Sequence, residues 1–267
     1  VQGTLLNQFS MDEHEGNLRV ATTSAPWFGG DVAAGPVSES FVTVLSQRGE
    51  ELVEIGKVGG LGKDERIYSV RFIGDLGYVV TFRQVDPLYV LDLSNPEAPA
   101  VRGELKILGY SAYLHPMADG LLLGVGQDAS EEGRVQGTQL AVFDVSDPAN
   151  PRRVHQLRID QSSSEAEYDH HAFLYWPQTG LTVLPLQTYT DTSFWSGAIA
   201  FEVDVAGGIT EQGRLTHMQG QDDYLGQIRR SVVVGDSLYT LSDKGLMASD
   251  LATLTEQAFV EFPGFEG

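Results

Sequence analysis

The chain has 267 residues, of which 17 are basic and 37 acidic, and its formal charge at pH 7 is −20. This charge argues against a nucleic acid or an anionic membrane surface as the binding partner. The sequence has no cysteine, which excludes disulfides, zinc–thiolate sites and cysteine nucleophiles, and no uninterrupted apolar stretch of about 18 residues that would predict a membrane span.

Short apolar segments, separated by turn residues, follow one another along the chain. The sequence contains 30 glycines and 11 prolines, and turn signals recur about every 8 to 12 residues. The segments between them have the length and β-branched character of strands, and no sustained helical stripe connects them. In chain order they include LRVATTS, SFVTVLS, YVVTFR, LYVLDL, LLLGVG, LAVFDV, LTVLPL, AIAFEV and SLYTLS. We therefore predict an all-β fold.

An internal repeat organises these strands. The segment DPLYVLDLSNPEAPAVRGEL, from Asp86 to Leu105, aligns with GTQLAVFDVSDPANPRRVHQL, from Gly137 to Leu157. Both contain a strand, an Asp-x-Ser-x-Pro turn and a second strand; looser copies are GAIAFEVDVAGGITEQGRL and GLMASDLATLTEQAFVEF, and the opening segment supplies a fifth unit. We expect Asp92 and Asp144 to cap this turn through side-chain hydrogen bonds to the backbone.

A repeat of four strands in about 40 to 60 residues is typical of a β-propeller blade. We predict one β-propeller domain over residues 1–267, with about five four-stranded blade units. The first strand of each blade is expected to line the central axis. The units cover roughly residues 9–60, 67–108, 109–160, 168–217 and 226–263.

Three segments carry a resemblance to a known family: LLNQFSMDEHEGNLRVATTS, VVTFRQVDPLYVLDLSNP and EYDHHAFLYWPQTGLTVLPL. The chain resembles secreted prokaryotic proteins whose C-terminal β-propeller is distantly related to WD-repeat propellers, and the resemblance spans nearly all of it. The resemblance implies a secreted or cell-surface location and a chain that forms the C-terminal part of a larger propeller. Its blades would then pair with an N-terminal propeller segment or with a second copy. It implies sensing, scaffolding or binding, and no particular chemistry.

In the strands predicted to line the central axis, every second residue is polar. Side chains two apart on a strand face the same side, so this pattern predicts a polar channel. A hydrated channel with paired charges and a ligand or ion site both fit the pattern. The candidate ligand-binding or channel-lining residues are Asp12, Arg71, Tyr113, Asp169, His171 and Arg229.

The pair His170 and His171, preceded by Asp169, is the candidate for a metal site. Because neighbouring residues of a strand face opposite sides, we expect only one of the two rings to reach an ion, with a further ligand from another blade, such as Asp12, His14 or His115. A structural role fits the pattern as well, with His171 hydrogen-bonded to a neighbouring blade and His170 packed between sheets. The predicted ligand set is Asp12, Asp169 and His171. Calcium or another divalent ion is the candidate cofactor, although no acidic loop has the EF-hand spacing.

Two functions remain open. The first is a non-catalytic exported module that binds or scaffolds a protein or saccharide ligand. The second is a metal-dependent hydrolase or lyase with its site at the channel mouth. No G-x-S-x-G or H-E-x-x-H motif is present, which favours the first. Trp27 and Trp195, in the predicted insertions 24–39 and 188–197, are candidate surface aromatics, and His217 is expected at the surface.

Overall fold

The computed structural model describes residues 1–24, 38–82, 85–118, 120–190, 192–220 and 223–264, with the backbone alone at residues 85 and 86. Trp27 lies outside the described residues. None of the helices in the described ranges has the length and apolar character needed to cross a membrane.

The first two sheets are antiparallel, and in each the strands pair in sequence order. Strands β1 to β4 of the first sheet are Met11–His14, Asn17–Ser24, Glu39–Arg48 and Glu51–Leu61. Strands β5 to β8 of the second sheet are Arg66–Ile73, Leu76–Phe82, Val85–Asp92 and Ala100–Leu108.

The third and fifth sheets repeat this order. Strands β9 to β12 of the third sheet are Tyr110–Ala118, Leu121–Ala129, Val135–Asp144 and Arg152–Asp160. Strands β18 to β21 of the fifth sheet are Ile228–Val234, Ser237–Ser242, Gly245–Asp250 and Glu256–Glu261. Together with the fourth sheet, these make five antiparallel sheets in the described residues, which confirms the predicted all-β class and the prediction of about five blade units.

The fourth sheet differs because its first strand is interrupted. Two short strands, β13 (Ser162–Ser163) and β14 (Leu174–Trp176), both pair with β15 (Leu181–Tyr189), which is followed by β16 (Phe194–Asp204) and β17 (Gly208–Leu215). Two one-turn 3-10 helices lie between β13 and β14. The described 3-10 helices, η1 to η4, are Gln8–Ser10, Glu165–Glu167, His170–Ala172 and Tyr224–Gly226.

The chain divides into two compact units. The first contains Val1–Val135 and Val142–Val154, and the second contains Gln136–Ala141 and His155–Gly267. In the first unit, a buried cluster joins the first two sheets: Ala21, Val42, Leu61, Ile67, Val70, Val79, Leu91 and Leu93. In the second unit, a matching cluster joins the fourth and fifth sheets: Leu181, Val183, Ala198, Ala200, Leu215, Ile228, Leu238 and Met247.

An aspartate at the end of the third strand caps the following turn in each of sheets two to five. The carboxylate of Asp92 accepts hydrogen bonds from the backbone N and the hydroxyl of Ser94 (3.1 and 2.6 Å), and Asp144 does the same with Ser146 (3.0 and 2.6 Å). Asp204 and Asp250 accept backbone N–H groups from the corresponding turns. The predicted capping role of Asp92 and Asp144 is therefore confirmed.

Each capped turn packs against the middle of the fourth strand of the preceding sheet. A Cβ atom at Gly56 of β4 would collide with the carbonyl of Pro96 and lie 2.8 Å from Cδ of Pro99. A Cβ at Gly103 of β8 would likewise collide with the carbonyl of Pro148 and lie 2.8 Å from Cδ of Pro151. The glycines are required because only a hydrogen atom fits between the strand and the rigid turn.

The same contact is made with different residues in the second unit. In β12, His155 stands at the aligned position, and its Nε2–H donates to the carbonyl of Val205, 2.7 Å away, in the turn of the fourth sheet. In β17, a Cβ at Gly213 would lie 2.9 Å from Cδ1 of Leu254, in the turn of the fifth sheet. The turn-on-strand contact therefore recurs four times along the chain.

We predict that Gly103→Ala lowers the free energy of unfolding by about 1 to 3 kcal/mol, as overpacking against fixed backbone usually does. The matched control is Gly220→Ala, since a Cβ at Gly220 has no neighbour within 4 Å. Urea unfolding measures both. Equal midpoints for Gly103→Ala and the control would show that the turn moves aside freely.

Candidate functional site

The most unusual charged group of the first unit is Arg71 of β5. Its guanidinium carbon lies 3.9 Å from the ring centre of Phe9 and 5.3 Å from that of Tyr113. Its Nε–H donates to the carbonyl of Leu114, 2.9 Å away. The two rings and the carbonyl hold the guanidinium plane in one orientation.

Arg71 differs from other half-buried cations of the chain in its partners. Its contacts with the described residues are the carbonyl, the two rings and a hydrogen bond to the Tyr113 phenol; no carboxylate is among them. Burial lowers the pKa of Arg71, against the opposing influence of Tyr113. A guanidinium remains charged under these conditions, so the site presents a half-buried positive charge without a fixed counter-charge.

A hydrogen-bonded chain leads from Arg71 to His115. The hydroxyl of Tyr113 lies 3.3 Å from Nδ1 of His115. Burial, and then the charge of Arg71, lowers the pKa of His115 to about 4, so its imidazole is neutral at neutral pH. The Tyr113 oxygen can therefore accept from Arg71 while its hydrogen is donated to the neutral ring.

Asp12 has a structural partner that the sequence did not indicate. Its carboxylate forms an ion pair with Arg19, which lies opposite it in the register of β1 and β2 and is only 3% exposed. Arg19 also donates to the carbonyl of Gly74, 2.6 Å away. Asp12 neutralises a buried cation, and assigning it as a metal ligand is not supported by these contacts.

In the second unit, Asp169 and the two histidines do not lie on a strand, and the predicted alternation is wrong here. Asp169 is the N-cap of η3, and its carboxylate accepts the backbone N–H of His171 at 3.0 Å. An aspartate side chain can accept a hydrogen bond from the backbone N–H two residues later, which favours a tight turn over a strand. Both imidazoles consequently lie on the same side, with ring centres 4.0 Å apart.

Among the described residues, this turn brings together a group of side chains that could hold a metal ion. Asp169, His170 and His171 each offer a ligand atom, and these atoms lie within 4.8 Å of one another. Asp12 is not part of this group. The expectation that only one of the two rings could reach an ion is wrong, because it assumed strand geometry.

The Asp169 carboxylate already has several donors. One oxygen lies 3.1 Å from Nδ1 of His171, and the other forms an ion pair with Arg230. Desolvation opposes ionisation, but the His171 hydrogen bonds and Arg230 together lower the pKa of Asp169. Arg230 also reaches Glu165 at 3.4 Å. A metal would have to compete with these contacts.

Arg229 does not occupy the predicted position. It is exposed and forms an ion pair with Asp243 at 3.0 Å. The strand pairing shifts between Ile228 and Arg230, and such a bulge reverses the faces of the following side chains. Arg230, rather than Arg229, therefore meets Asp169.

His217 is buried rather than at the surface, being 5% exposed. Its Nδ1 lies 2.8 Å from the Ser242 hydroxyl and its Nε2 lies 2.9 Å from the Thr240 hydroxyl. Desolvation, and then the charge of Lys244, lowers the pKa of His217 to about 4. Two hydroxyl partners satisfy a neutral ring.

The predicted insertion 188–197 contains an exposed ring, but it is not the tryptophan. Trp195 is half-buried and packs by Gly197 and Arg214. The exposed ring is that of Tyr189, and Phe194 lies between it and a second exposed ring, that of Tyr224 in η4. The aromatic residues of 188–197 were the available sequence signal for the first ring, and none indicated the second.

Residues 1–254 match the beta propeller domain family, and the chain belongs to that family. It is 48% identical over 185 residues to an uncharacterised protein of Archaeoglobus fulgidus, covering 69% of this chain and 27% of that protein. It is 37% identical over 242 residues to an uncharacterised protein of Methanocaldococcus jannaschii, covering 91% of this chain and 34% of that protein. The chain thus spans about a third or less of the length of these curated relatives.

A solved structure from Bacteroides ovatus, described as a dipeptidyl aminopeptidase IV, is similar in fold. It superposes with a TM-score of 0.56 at 11% identity, covering 97% of this chain and 41% of that protein. At this identity the likeness shows the fold alone.

We predict that stability decreases as the pH falls from 6.5 to 4. Because the native pKa of His217 is about 4 against 6.5 in the unfolded chain, the unfolded state takes up the proton first. Each such histidine contributes a slope of up to about 1.4 kcal/mol per pH unit in this window. The variant His217→Asn should show a shallower slope than the wild type in urea unfolding at several pH values.

The control variant is Thr240→Val, which removes one hydrogen bond of His217 but leaves the titrating ring. It should be less stable at every pH and keep the steep slope. An unchanged slope in His217→Asn would show that His217 does not contribute to the acid sensitivity.

Proposed function

We propose that this β-propeller chain acts as a non-catalytic binding module and that it holds a carboxylate group of its ligand at Arg71. The observation that carries the proposal is the half-buried guanidinium of Arg71 beside the Phe9 and Tyr113 rings, which has no carboxylate partner among the described residues. The chain has 37 acidic side chains, and a fixed carboxylate at this position would compete with the ligand.

The chemistry of the site favours a carboxylate. Nε of Arg71 already donates to Leu114 and the guanidinium also donates to the Tyr113 phenol, so a ligand would meet the remaining N–H groups of the two terminal nitrogens. Their planar spacing matches the two oxygens of a carboxylate. The Phe9 and Tyr113 rings, whose centres are 5.8 Å apart, shield part of the guanidinium from water, which strengthens a charge-assisted hydrogen bond at its edge.

The net charge limits the class of ligand. A chain with a formal charge of −20 repels polyanions over distances of about a Debye length. A single carboxylate on a protein or on a saccharide meets less repulsion than a polyphosphate. An extracytoplasmic location, and pairing of the blades with a further propeller segment or a second copy, remain predictions alongside this proposal.

The test is titration with acetate and with succinate at constant ionic strength, observed by the side-chain Nε–H resonance of Arg71 in 15N NMR. The wild type should show a saturable shift that chloride does not produce. Tyr113→Phe should weaken binding about tenfold, since a hydrogen bond within a charged network is worth about 1.5 to 3 kcal/mol.

The matched control is Arg66→Gln on the same strand. Arg66 is exposed and contacts Tyr68 in a similar arginine–tyrosine pair, with Nη2 donating to the hydroxyl at 3.0 Å. This variant removes a positive charge near Arg71 but should leave acetate binding unchanged. A non-saturating shift in the wild type, or equal losses in both variants, would contradict the proposal.

The alternative function, a metal-dependent hydrolase or lyase, has its support in the Asp169, His170 and His171 group. Metal analysis of the purified protein and of the Asp169→Ala variant distinguishes the two. We expect no stoichiometric divalent ion whose content depends on Asp169. A stoichiometric ion that is lost in the variant would support the metal enzyme.

A further inference from the structure

An exposed group of aromatic side chains lies on the second unit, away from the residues of the Arg71 site in sequence. We call it the aromatic surface and define it as Tyr168, Tyr189, Phe194, Tyr224 and Leu225. Tyr168, Tyr224 and Leu225 are 78%, 64% and 61% exposed. Single exposed apolar residues are ordinary, but a contiguous group of this kind marks an interaction site.

Three rings of the aromatic surface, those of Tyr189, Phe194 and Tyr224, form a series of contacts. The ring centres of Tyr189 and Phe194 are 5.3 Å apart, and these residues are paired across β15 and β16. The ring centres of Phe194 and Tyr224 are 5.9 Å apart. The Tyr189 hydroxyl donates to Gln187, whose side chain donates to Gln227 at 3.2 Å. The rings are therefore held in place before any partner binds.

Negative charge surrounds these rings. Glu165 and Glu167 belong to η2, which directly precedes Tyr168, so two carboxylates lie next to this ring in the chain. Residues 155–267 as a whole carry 16 acidic and five basic side chains. The local basic groups do not offset this, because Arg230 and Lys244 already bind Asp169 and Asp223.

A groove continues from one end of the aromatic surface. Leu225 lines a cavity of about 540 Å³ together with Asp243, Lys244, Glu261, Phe262 and Pro263. Phe262 is 41% exposed there. The ring spacings of 5.3 and 5.9 Å each exceed the rise of one extended residue, about 3.3 Å, so the rings match several residues of an extended chain rather than one small group.

We propose that the aromatic surface binds an extended peptide segment of a partner protein that carries lysine or arginine side chains. Cations are attracted to the faces of aromatic rings, and here the surrounding carboxylates add to that attraction. The aliphatic stems of lysine and arginine cover apolar rings while their charged ends reach carboxylates. An acidic peptide would be repelled, and a neutral saccharide would gain nothing from the charge.

This inference is independent of the carboxylate proposal, because the aromatic surface and the Arg71 site belong to different units and are recognised by ligands of opposite charge. A protein that lacked acetate binding could still bind a basic peptide. The acetate titration and the peptide-binding experiment therefore test the two proposals separately.

The experiment uses the whole chain and a fluorescein-labelled (Lys-Ala)6 peptide, with binding measured by fluorescence anisotropy. Comparison probes are a (Glu-Ala)6 peptide and chitohexaose. We expect saturable binding of the lysine peptide alone. Tyr224→Leu should raise the Kd about two- to fivefold and the Tyr189→Leu/Tyr224→Leu double variant about five- to thirtyfold, since an exposed cation–π contact contributes about 0.5 to 1 kcal/mol.

These substitutions leave the net charge unchanged, so non-specific attraction of a polycation to an acidic protein is the same in every variant. Tyr224→Phe keeps the ring and should bind like the wild type, while Tyr239→Leu, at a half-buried strand position of the same unit, controls for general effects of losing a tyrosine. Wild-type affinity in the double variant would assign the binding to diffuse charge and overturn the proposal. Equal or tighter binding of chitohexaose or the glutamate peptide would overturn it as well.

Discussion

The repeated arrangement of this chain depends on one contact: a turn made rigid by an aspartate cap packs against the outer strand of the sheet before it. The cap at Asp144 is strong, because hydrogen bonds from Ser146 and Arg152 lower the pKa of its carboxyl to about 2. A rigid turn cannot move away from the neighbouring strand, and Gly103 leaves room for the Pro148 carbonyl because it has no side chain. Local turn chemistry thus determines how neighbouring sheets are spaced within each unit.

Three of the buried or half-buried arginines show how the same side chain can have different roles. Arg19 has Asp12, and Arg230 has Asp169 and Glu165, so both charges are compensated within the fold. Arg71 is satisfied by a carbonyl, a phenol and two rings. Burying a cation costs free energy unless it is paired, and our proposal assigns the missing counter-charge of Arg71 to the carboxylate of a ligand.

Repetition explains what could be predicted from the sequence. Asp92 and Asp144 were assigned as caps because the same residues recur at the same spacing, and five blade units followed from that period. The site residues depend on departures from the repeat. Asp169 starts a 3-10 turn where its counterparts continue a strand, and a bulge exchanges Arg229 for Arg230. A single sequence does not reveal such local irregularities, and the burial of His217 depends on hydroxyls 23 and 25 residues away.

The interrupted first strand gives the fourth sheet an uneven ladder. Strands β13 and β14 pair with β15 over two and three residues, whereas β15 and β16 pair over nine. Segments with few strand-to-strand hydrogen bonds open locally, and the free energy of this opening is lower than that of unfolding the whole domain. The segment between β13 and β14 is held by side-chain contacts, among them the Arg230 ion pairs, rather than by a long ladder, so we expect its amides to exchange with solvent hydrogen sooner than those of the remaining strands. Asp169, His170 and His171 lie in that segment, and their positions depend on these few contacts rather than on the strands of the sheet.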